Sequence, residues 1–312
     1  MSTDLSIIIV SWNTKKLLED CLTSVYADTK RHTFEIFVVD NNSPDFSAGM
    51  VKEKFPDVIL TANKDNLGFA PANNQALKLA KGNNILLLNP DTVVLDNAID
   101  KMLDYIENNS CDLLTCKLLN TDGTLQKNVN NFYSFWETLF ENRFFSNLSG
   151  KLNFKKGYFK STWDHNSTVE IDWARGAVLM FKKEVMDKIG LLDERYYIYG
   201  EEIDFYFRAK KAGYKAVFVH NIAIMHHGKS SSKQKKTQMF IQNYRSLYLF
   251  LKKNYGSFSY YLYRLRVLSV MLIWILRFKI FSIFSKKKDE ERQQLEMYID
   301  TFKWHFSRNS FT

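Results

Sequence analysis

Four short stretches of this 312-residue chain hold side chains able to do chemistry. The first is ILLLNPDTVV, residues 85–94, where an apolar run stops at Asn89-Pro90-Asp91. An acid fixed at a strand end can hold a divalent cation, a hard ion that takes oxygen ligands and bridges to phosphate oxygens. A type I turn with proline at its second position accounts for the same tripeptide without a ligand. The second is YGEEIDFYFRAKK, where Glu201, Glu202 and Asp204 open a helix. The helix dipole favours acids in a first turn, and Asp204 can pair with Arg208 one turn on. That explains Asp204 better than the two glutamates, which the preceding RYYIYG would bury in part. A carboxylate in apolar surroundings has a raised pKa and can act as a general base. The third is MHHGKSSS. Neighbouring side chains on a strand point to opposite faces, so only one of His226 and His227 can face a metal, and either can be purely structural. The fourth, NKDNLGFAPANN, sets Asn66, Gly68, Asn73 and Asn74 around a turn into a helix N-terminus. Backbone N–H groups there suit a phosphate or a sugar hydroxyl, although a plain capping loop has the same composition.

The surrounding elements must position these groups. LSIIIVSW, FEIFVVD, DVILTAN and NNILLLNPD read as strands. NTKKLLEDCLTSVYA has apolar residues at helical spacing, with Asn13 or Thr14 as the cap, and APANNQALKLAKG reads as a helix stopping at Gly82. Continuous apolar strands between amphipathic helices predict a mostly parallel sheet covered on both faces. Ligands in such sheets sit beyond the carboxyl ends of the strands. Ser11-Trp12-Asn13, Asp40-Asn41-Asn42-Ser43, Asn63 and Asn89-Pro90-Asp91 would therefore gather along one edge. Further on, TDGT reads as a hairpin turn and FYSFWETLFENRFF as an aromatic helix. IDWARGAVLMFKKEVMDKIG reads as strand, small-residue turn, strand and helix. EEIDFYFRAKKAGY is a helix closed by Gly213, and KAVFVHNIAIMHHGKSSS supplies one or two strands.

Bulk properties narrow the classes. A hydrophobic content of 46% supports a large core and excludes wholesale disorder. Cys21, Cys111 and Cys116 suit neither a disulfide framework nor a zinc site, which points to a reducing compartment. The net charge of +9 is unevenly spread: residues 205–312 hold 21 Lys and Arg against 5 Asp and Glu, and residues 1–204 hold 22 against 29. A basic tail implies an anionic partner. In YLYRLRVLSVMLIWILRFKIF the uncharged, mainly apolar core runs only from Val267 to Leu276, against the roughly 20 residues a membrane span needs. Arg264, Arg266, Arg277 and Lys279 bracket it, and Lys286-Lys287-Lys288 follow. This predicts an amphipathic helix lying on an anionic membrane surface, with a packed helical subdomain or an oligomer interface as the other reading. The aliphatic density disfavours nucleic acid.

The order VSWNT, VVDNNSPD, NLGFAPANN, LLLNPDTVV, DWARGAVLMFKKEV and GEEIDFYFRAKKAGYKAVFVHNIAIMHHGKSS resembles the family 2 glycosyltransferases of GT-A fold, in particular bacterial rhamnosyltransferase-like enzymes. The resemblance spans roughly residues 4–232 and implies a GT-A, Rossmann-like domain over 1–235 with a helical, basic region over 236–312. It implies that Asp40 contacts the nucleotide base, with Ser11 and Asn13 nearby. Asn42, Asn66, Gly68 and Asn89 belong to the same donor-binding set, as do Gly176 and Ala177 in the small-residue turn. Asn89-Pro90-Asp91 stands where the family has Asp-x-Asp, which leaves most of the metal binding to Asp91. His226 begins the family's His-x-Gly pattern and would be a further ligand for Mg²⁺ or Mn²⁺. Glu202 stands where the family has the Asp of a Glu-Asp pair, the base, with Glu201 as the alternative.

The expected reaction is inverting transfer of a sugar, rhamnose for preference, from a nucleoside-diphosphate donor to a saccharide or lipid-linked acceptor. The expected place is the cytoplasmic face of the plasma membrane, peripherally bound. The donor, the acceptor and any homo-oligomer stay open in the sequence. The competing expectation is a catalytically silent scaffold that binds sugar nucleotides at the membrane surface. A sugar nucleotidyltransferase would need a Gly-rich, basic triphosphate loop near the first strand, and VSWNTKK lacks the glycines.

Overall fold

The computed structural model describes residues 3–132, 163–228, 236–284 and 288–307. The expected aromatic helix in FYSFWETLFENRFF lies outside the described residues, as do Lys286 and Lys287. The described residues of 3–132 and 163–228 form one compact unit, and those from 236 onward belong to a second.

The first unit alternates strands and helices from its start. β1 (Leu5–Ser11), α1 (Lys15–Asp28), β2 (Phe34–Asp40), α2 (Ser47–Lys54), β3 (Ile59–Ala62), α3 (Phe69–Leu77) and β4 (Asn84–Leu88) come first. β5 (Thr92–Val94), α4 (Ala98–Asn108), β6 (Leu113–Leu119), β7 (Leu125–Gln126) and β8 (Val129–Asn130) follow. Then come β9 (Val169–Glu170), β10 (Trp173–Ala174), β11 (Val178–Lys182), α5 (Lys183–Ile189), α6 (Glu201–Lys211) and β12 (Ala216–His226). The main sheet runs β3-β2-β1-β4-β11-β6-β12-β5. β1, β2, β3 and β4 are mutually parallel, as is the β6–β12 pair, whereas β11 runs antiparallel between β4 and β6.

Both faces of the sheet are covered. Ile7, Ile9, Leu86 and Leu88 cluster with Leu18, Leu22 and Val25 of α1 and Met102 and Ile106 of α4. The alternate residues Ile8, Leu87 and Phe181 are equally buried and face the other way, where Phe181 meets Phe205 of α6 at 4.9 Å between ring centres. The three cysteines are free and buried, and burial pushes each thiol up to about 12.

One local expectation shifts. α3 ends at Leu77, short of Gly82. Gly82 instead lets the chain pass close to β1, since a Cβ there would lie 2.4 Å from the Ser6 backbone nitrogen. KAVFVHNIAIMHH forms the single strand β12, whose register against β6 slips between Val219 and Ala223.

The second unit holds α7 (Lys236–Phe284), broken at Gly256 with φ 83°, and α8 (Lys288–Trp304). Aromatic side chains join them: Tyr248 Oη hydrogen-bonds His305 Nε2 at 2.7 Å and stacks on Trp304, and Trp274 stacks on Tyr298. Beyond Gly256, α7 has two apolar faces. Tyr260, Tyr263, Val267, Met271 and Ile275 are buried, whereas Phe258, Tyr261, Leu265, Ile273 and Leu276 form an exposed stripe, 59–75% accessible. Arg266 and Arg277 lie over Tyr263 and Trp274. Arg264, expected among the surface cations, is 7% exposed and binds the Tyr260 hydroxyl and the His305 carbonyl. Among the described residues, no helix is long and apolar enough to cross a membrane.

Candidate active site

The parallel strands deliver their carboxyl ends side by side. Ser11 pairs with Asp40 in register, the Asn41 N–H donates to Ser11 O at 2.9 Å, and the Asn63 N–H donates to Asp40 O at 2.9 Å. Ser11 is fully buried with its hydroxyl on Thr14, so it lies beneath the edge rather than on it. That bond occupies Thr14, the N-cap of α1, and Asp45 caps the Lys15 N–H instead. Asp40 is 3% exposed. Its Oδ2 accepts from the Ser43 N–H at 2.9 Å, and its Oδ1 has no partner among the described residues. A buried acceptor left unpaired costs about 1–3 kcal/mol, so it marks a place where a donor group belongs. Asn13 and Asn42 adopt positive φ on the two neighbouring loops, Asn13 N–H bonded to Ser43 and Asn42 exposed.

At the end of β4, Asn89 N–H donates to Ala177 O at 2.9 Å, which fastens the Asn-Pro-Asp turn to the head of β11. Thr92 closes the turn by donating to Asn89 O. Asp91 Oδ1 lies 3.2 Å from His226 Nε2, both side chains largely buried, and the His227 N–H donates to Asp91 O. The His227 side chain is exposed. Gln126 Oε1 holds His226 Nδ1 at 2.6 Å. Burial pushes the Asp91 carboxyl up, but the His226 hydrogen bond and charge outweigh it, and the group sits below the usual carboxylate range. Among the described residues, no group of three or more His, Cys, Asp or Glu side chains could hold a metal. Two protein ligands nonetheless fit Mg²⁺ or Mn²⁺, ions that complete their shells with water and substrate phosphate oxygens.

α6 carries the two glutamates on its first turn, entered through Tyr199 and Gly200 at positive φ. Glu201 is 4% exposed, and its Oε2 has no partner among the described residues. Glu202 is half-buried, and its Oε2 accepts from the Gly200 N–H at 2.9 Å. Burial drives the Glu201 carboxyl well up, and the Glu202 charge adds to this. Burial also raises Glu202, opposed by its own N–H, the Gly200 N–H, the Glu201 hydrogen bond and the Arg175 charge. The proton of the pair therefore rests on Glu201, and Glu202 carries the charge. A Cβ on Gly176 would lie 3.7 Å from Glu202 Cβ, so the small-residue turn faces the acid directly. Asp204 pairs with Arg208 at 2.7 Å, as its spacing predicts.

Gly68 and Asn66 are arranged differently from a ligand loop. Asn66 Oδ1 accepts from the Gly68 N–H, and Asn41 Nδ2 donates to Gly68 O. Tyr197 covers Gly68, and Tyr197 O accepts from the Phe69 N–H at 2.7 Å. Asn73 and Asn74 are 1% exposed; Asn74 bonds Leu192 and Glu194. Sequence reasoning missed Gln126, Arg175 and Tyr197, which belong to a hairpin, a turn and a loop without periodicity.

A mostly parallel sheet with one inserted antiparallel strand, polar groups along the carboxyl edge and an acid-bearing helix facing it is the GT-A class of glycosyltransferase. Residues 6–164 match the profile of glycosyl transferase family 2, about half of the chain, and the protein belongs to that family. It is similar to the N-acetylglucosaminyl-diphospho-decaprenol L-rhamnosyltransferase of Mycobacterium tuberculosis, 22% identical over 282 residues, 82% of this chain and 87% of that protein. It is also similar to the O-antigen biosynthesis protein RfbC of Myxococcus xanthus, 25% identical across 72% of this chain and 17% of that one. In fold it matches the mannosyltransferase PcManGT of Pyrobaculum calidifontis, solved in complex with GDP-Man and Mn²⁺, with a TM-score of 0.56 and 14% identity over 98% of this chain and 87% of that chain.

Proposed function

We propose that the protein transfers a sugar, rhamnose in the leading reading, from a nucleoside diphosphate to a hydroxyl of a saccharide or lipid-linked acceptor in cell-surface polysaccharide synthesis. The name of the M. tuberculosis relative supports both the sugar and the lipid link, and the O-antigen relative supports the pathway class. The observation that carries the reading is the Asp91–His226 pair, 3.2 Å apart at the end of β4, on the edge that also holds the unpaired Asp40 Oδ1.

Asp40 accepts a ring N–H of the base. Asn13 and Asn42 flank it, and Asn89, Gly176 and Ala177 bound the space for the sugar. Asp91 and His226 would hold Mg²⁺ or Mn²⁺, which when bound neutralises charge on the leaving diphosphate. Glu202 takes the proton of the acceptor hydroxyl. The oxygen bonds the anomeric carbon from the face opposite the diphosphate, the carbon–oxygen bond to the diphosphate breaks, and the nucleoside diphosphate departs with the electron pair. One displacement inverts the configuration. The exposed stripe of α7, flanked by Arg266, Arg277 and Lys279, lies against anionic lipid and brings the enzyme to a membrane-held acceptor.

The test is thermal stabilisation by UDP, dTDP and GDP, each with Mn²⁺ or with EDTA, in wild type and Asp91→Ala. Stabilisation by one nucleotide that needs Mn²⁺ and disappears in the variant is expected. Absence of any nucleotide effect in the wild type would remove the donor-site reading.

A further inference from the structure

We propose that the β6–β7 hairpin is a polarity relay that presents the His226 Nε2 lone pair to a divalent cation at Asp91, with Gln126 and Asn120 as positioning residues. The proposal rests on Asp91 and His226 forming the metal pair. It adds the reason the imidazole has the tautomer that ligation requires.

The relay starts at an acceptor that cannot be reversed. Asp122 Oδ1 receives both the Thr124 N–H at 3.0 Å and the Thr124 hydroxyl at 2.6 Å. These bonds hold the Asp122 carboxyl below its usual range, so it is ionised and accepts only. The single hydroxyl proton of Thr124 is thereby spent, and toward Asn120 its oxygen is an acceptor: Asn120 Nδ2 donates to it at 2.9 Å. Asn120 Oδ1 consequently points the other way and receives Gln126 Nε2 at 3.1 Å. With its nitrogen committed, Gln126 turns Oε1 to His226 Nδ1 at 2.6 Å, so Nδ1 must carry the proton. A neutral imidazole has one N–H, and its other nitrogen then bears the lone pair.

That lone pair faces Asp91 Oδ1 at 3.2 Å, also an acceptor. The Asn89 amide reaches Nε2 only at 3.5 Å, the long limit of a hydrogen bond. Two acceptors at this separation repel unless positive charge sits between them. A divalent cation held by the pair would supply that charge. Gly228 makes room for the relay: its φ is +63°, and a Cβ there would press to 3.1 Å from Gln126 Nε2. A Cβ after the paired histidines would thus crowd the amide that orients the first of them.

Hydrogen-bond partners of metal-binding histidines are worth roughly 10–100-fold in metal affinity. The experiment measures Mn²⁺ binding to the full chain by calorimetry and by electron paramagnetic resonance, alone and with UDP, dTDP or GDP. Wild type is compared with Gln126→Leu, Gln126→Glu and Asn120→Ala. Gln126→Leu is expected to bind Mn²⁺ about 10–100-fold more weakly with an unchanged metal-free melting temperature. Gln126→Glu, which keeps an acceptor for Nδ1–H, is expected to restore binding to near wild type. Long-range ¹H–¹⁵N spectra of the metal-free protein are expected to show His226 losing its Nδ1–H tautomer in Gln126→Leu. Equal Mn²⁺ affinity in wild type and Gln126→Leu would overturn the relay alone. Absence of Mn²⁺ binding in the wild type under every condition would overturn the metal pair and the relay with it.

Discussion

Glu202→Gln removes the proposed base while changing almost nothing else. The amide is isosteric with the carboxylate, and its oxygen can still accept the Gly200 N–H. A positioned general base contributes roughly 10²–10⁴-fold to a rate, which is about 2.7–5.4 kcal/mol of barrier. The variant is expected to lose that much kcat and to keep the wild-type donor KM. Glu201→Gln, at the neighbouring buried position, replaces a group that already holds a proton. It is expected to retain kcat to within about tenfold, since a protonated neighbour contributes no base and the amide N–H can replace its hydrogen bond to Glu202. Both raised carboxyls also set the pH response. In the proposed role Glu202 must be ionised, so kcat is expected to fall as pH drops through a value above the ordinary carboxylate range. For stability the sign is opposite. A carboxyl whose folded pKa is raised contributes stability that is present below its unfolded value, near 4.3, and lost as pH rises through the folded value. Glu201→Gln should therefore gain melting temperature over wild type as pH increases. Initial-rate assays with the donor identified by thermal shift, run on both variants across pH, decide the matter. Loss of kcat in Glu201→Gln with retention in Glu202→Gln would reverse the two roles and refute the burial argument.

Three further outcomes are expected. Gly68→Ala forces a Cβ to 2.4 Å from the Tyr197 carbonyl oxygen at φ +89°, and should cost about 2 kcal/mol or more in denaturant unfolding. Asp40→Ala removes the unpaired acceptor, so calorimetry should show nucleotide binding weakened by at least about tenfold, since hydrogen bonds to charged groups are worth roughly 1.5–3 kcal/mol. Arg277→Ala with Lys279→Ala should lower binding to phosphatidylserine-containing vesicles by about 2 kcal/mol, at roughly 1 kcal/mol per basic residue, and equal binding in co-sedimentation would argue against the lipid reading.

The sheet was legible because its central strands are buried on both faces and so appear as unbroken apolar runs, LSIIIV and ILLLN above all. Strand ends were legible for the same reason: a polar residue after such a run has to emerge at the edge, which is how Asp40 and Asp91 could be named. What lay hidden depends on long-range contact. Gly82 looked like a helix stop because glycine so often is one, and only the approach of β1 reveals its other use. Arg264 looked like a surface cation beside Arg266, and only the fold of α8 back onto α7 turns it inward. Gln126 sits in a two-residue strand, too short for any periodicity to mark it.

NLGFAPANN is the clearest case of a motif whose work differs from its appearance. Its composition suits a phosphate loop, yet Asn73 and Asn74 are sealed from solvent and Gly68 lies under Tyr197. Asn74 uses both ends of its amide on the segment after α5, donating to Leu192 O and Glu194 and accepting the Leu192 N–H. Phe69 N–H reaches Tyr197 O on the same segment. That segment leads straight into Tyr199 and Gly200, two consecutive residues at positive φ, and then into the glutamates. A non-glycine residue in the left-handed region is held there only by surrounding contacts, and Tyr199 is such a residue. The asparagines of α3 therefore brace a strained turn whose product is the Gly200 N–H aimed at Glu202. The same stretch receives Asn41 Nδ2 through the Gly68 carbonyl, and Asn41 follows Asp40 directly. The roles proposed for Asp40 and Glu202 thus depend on opposite sides of one buried amide network, and a substitution inside it would disturb both together without touching either substrate.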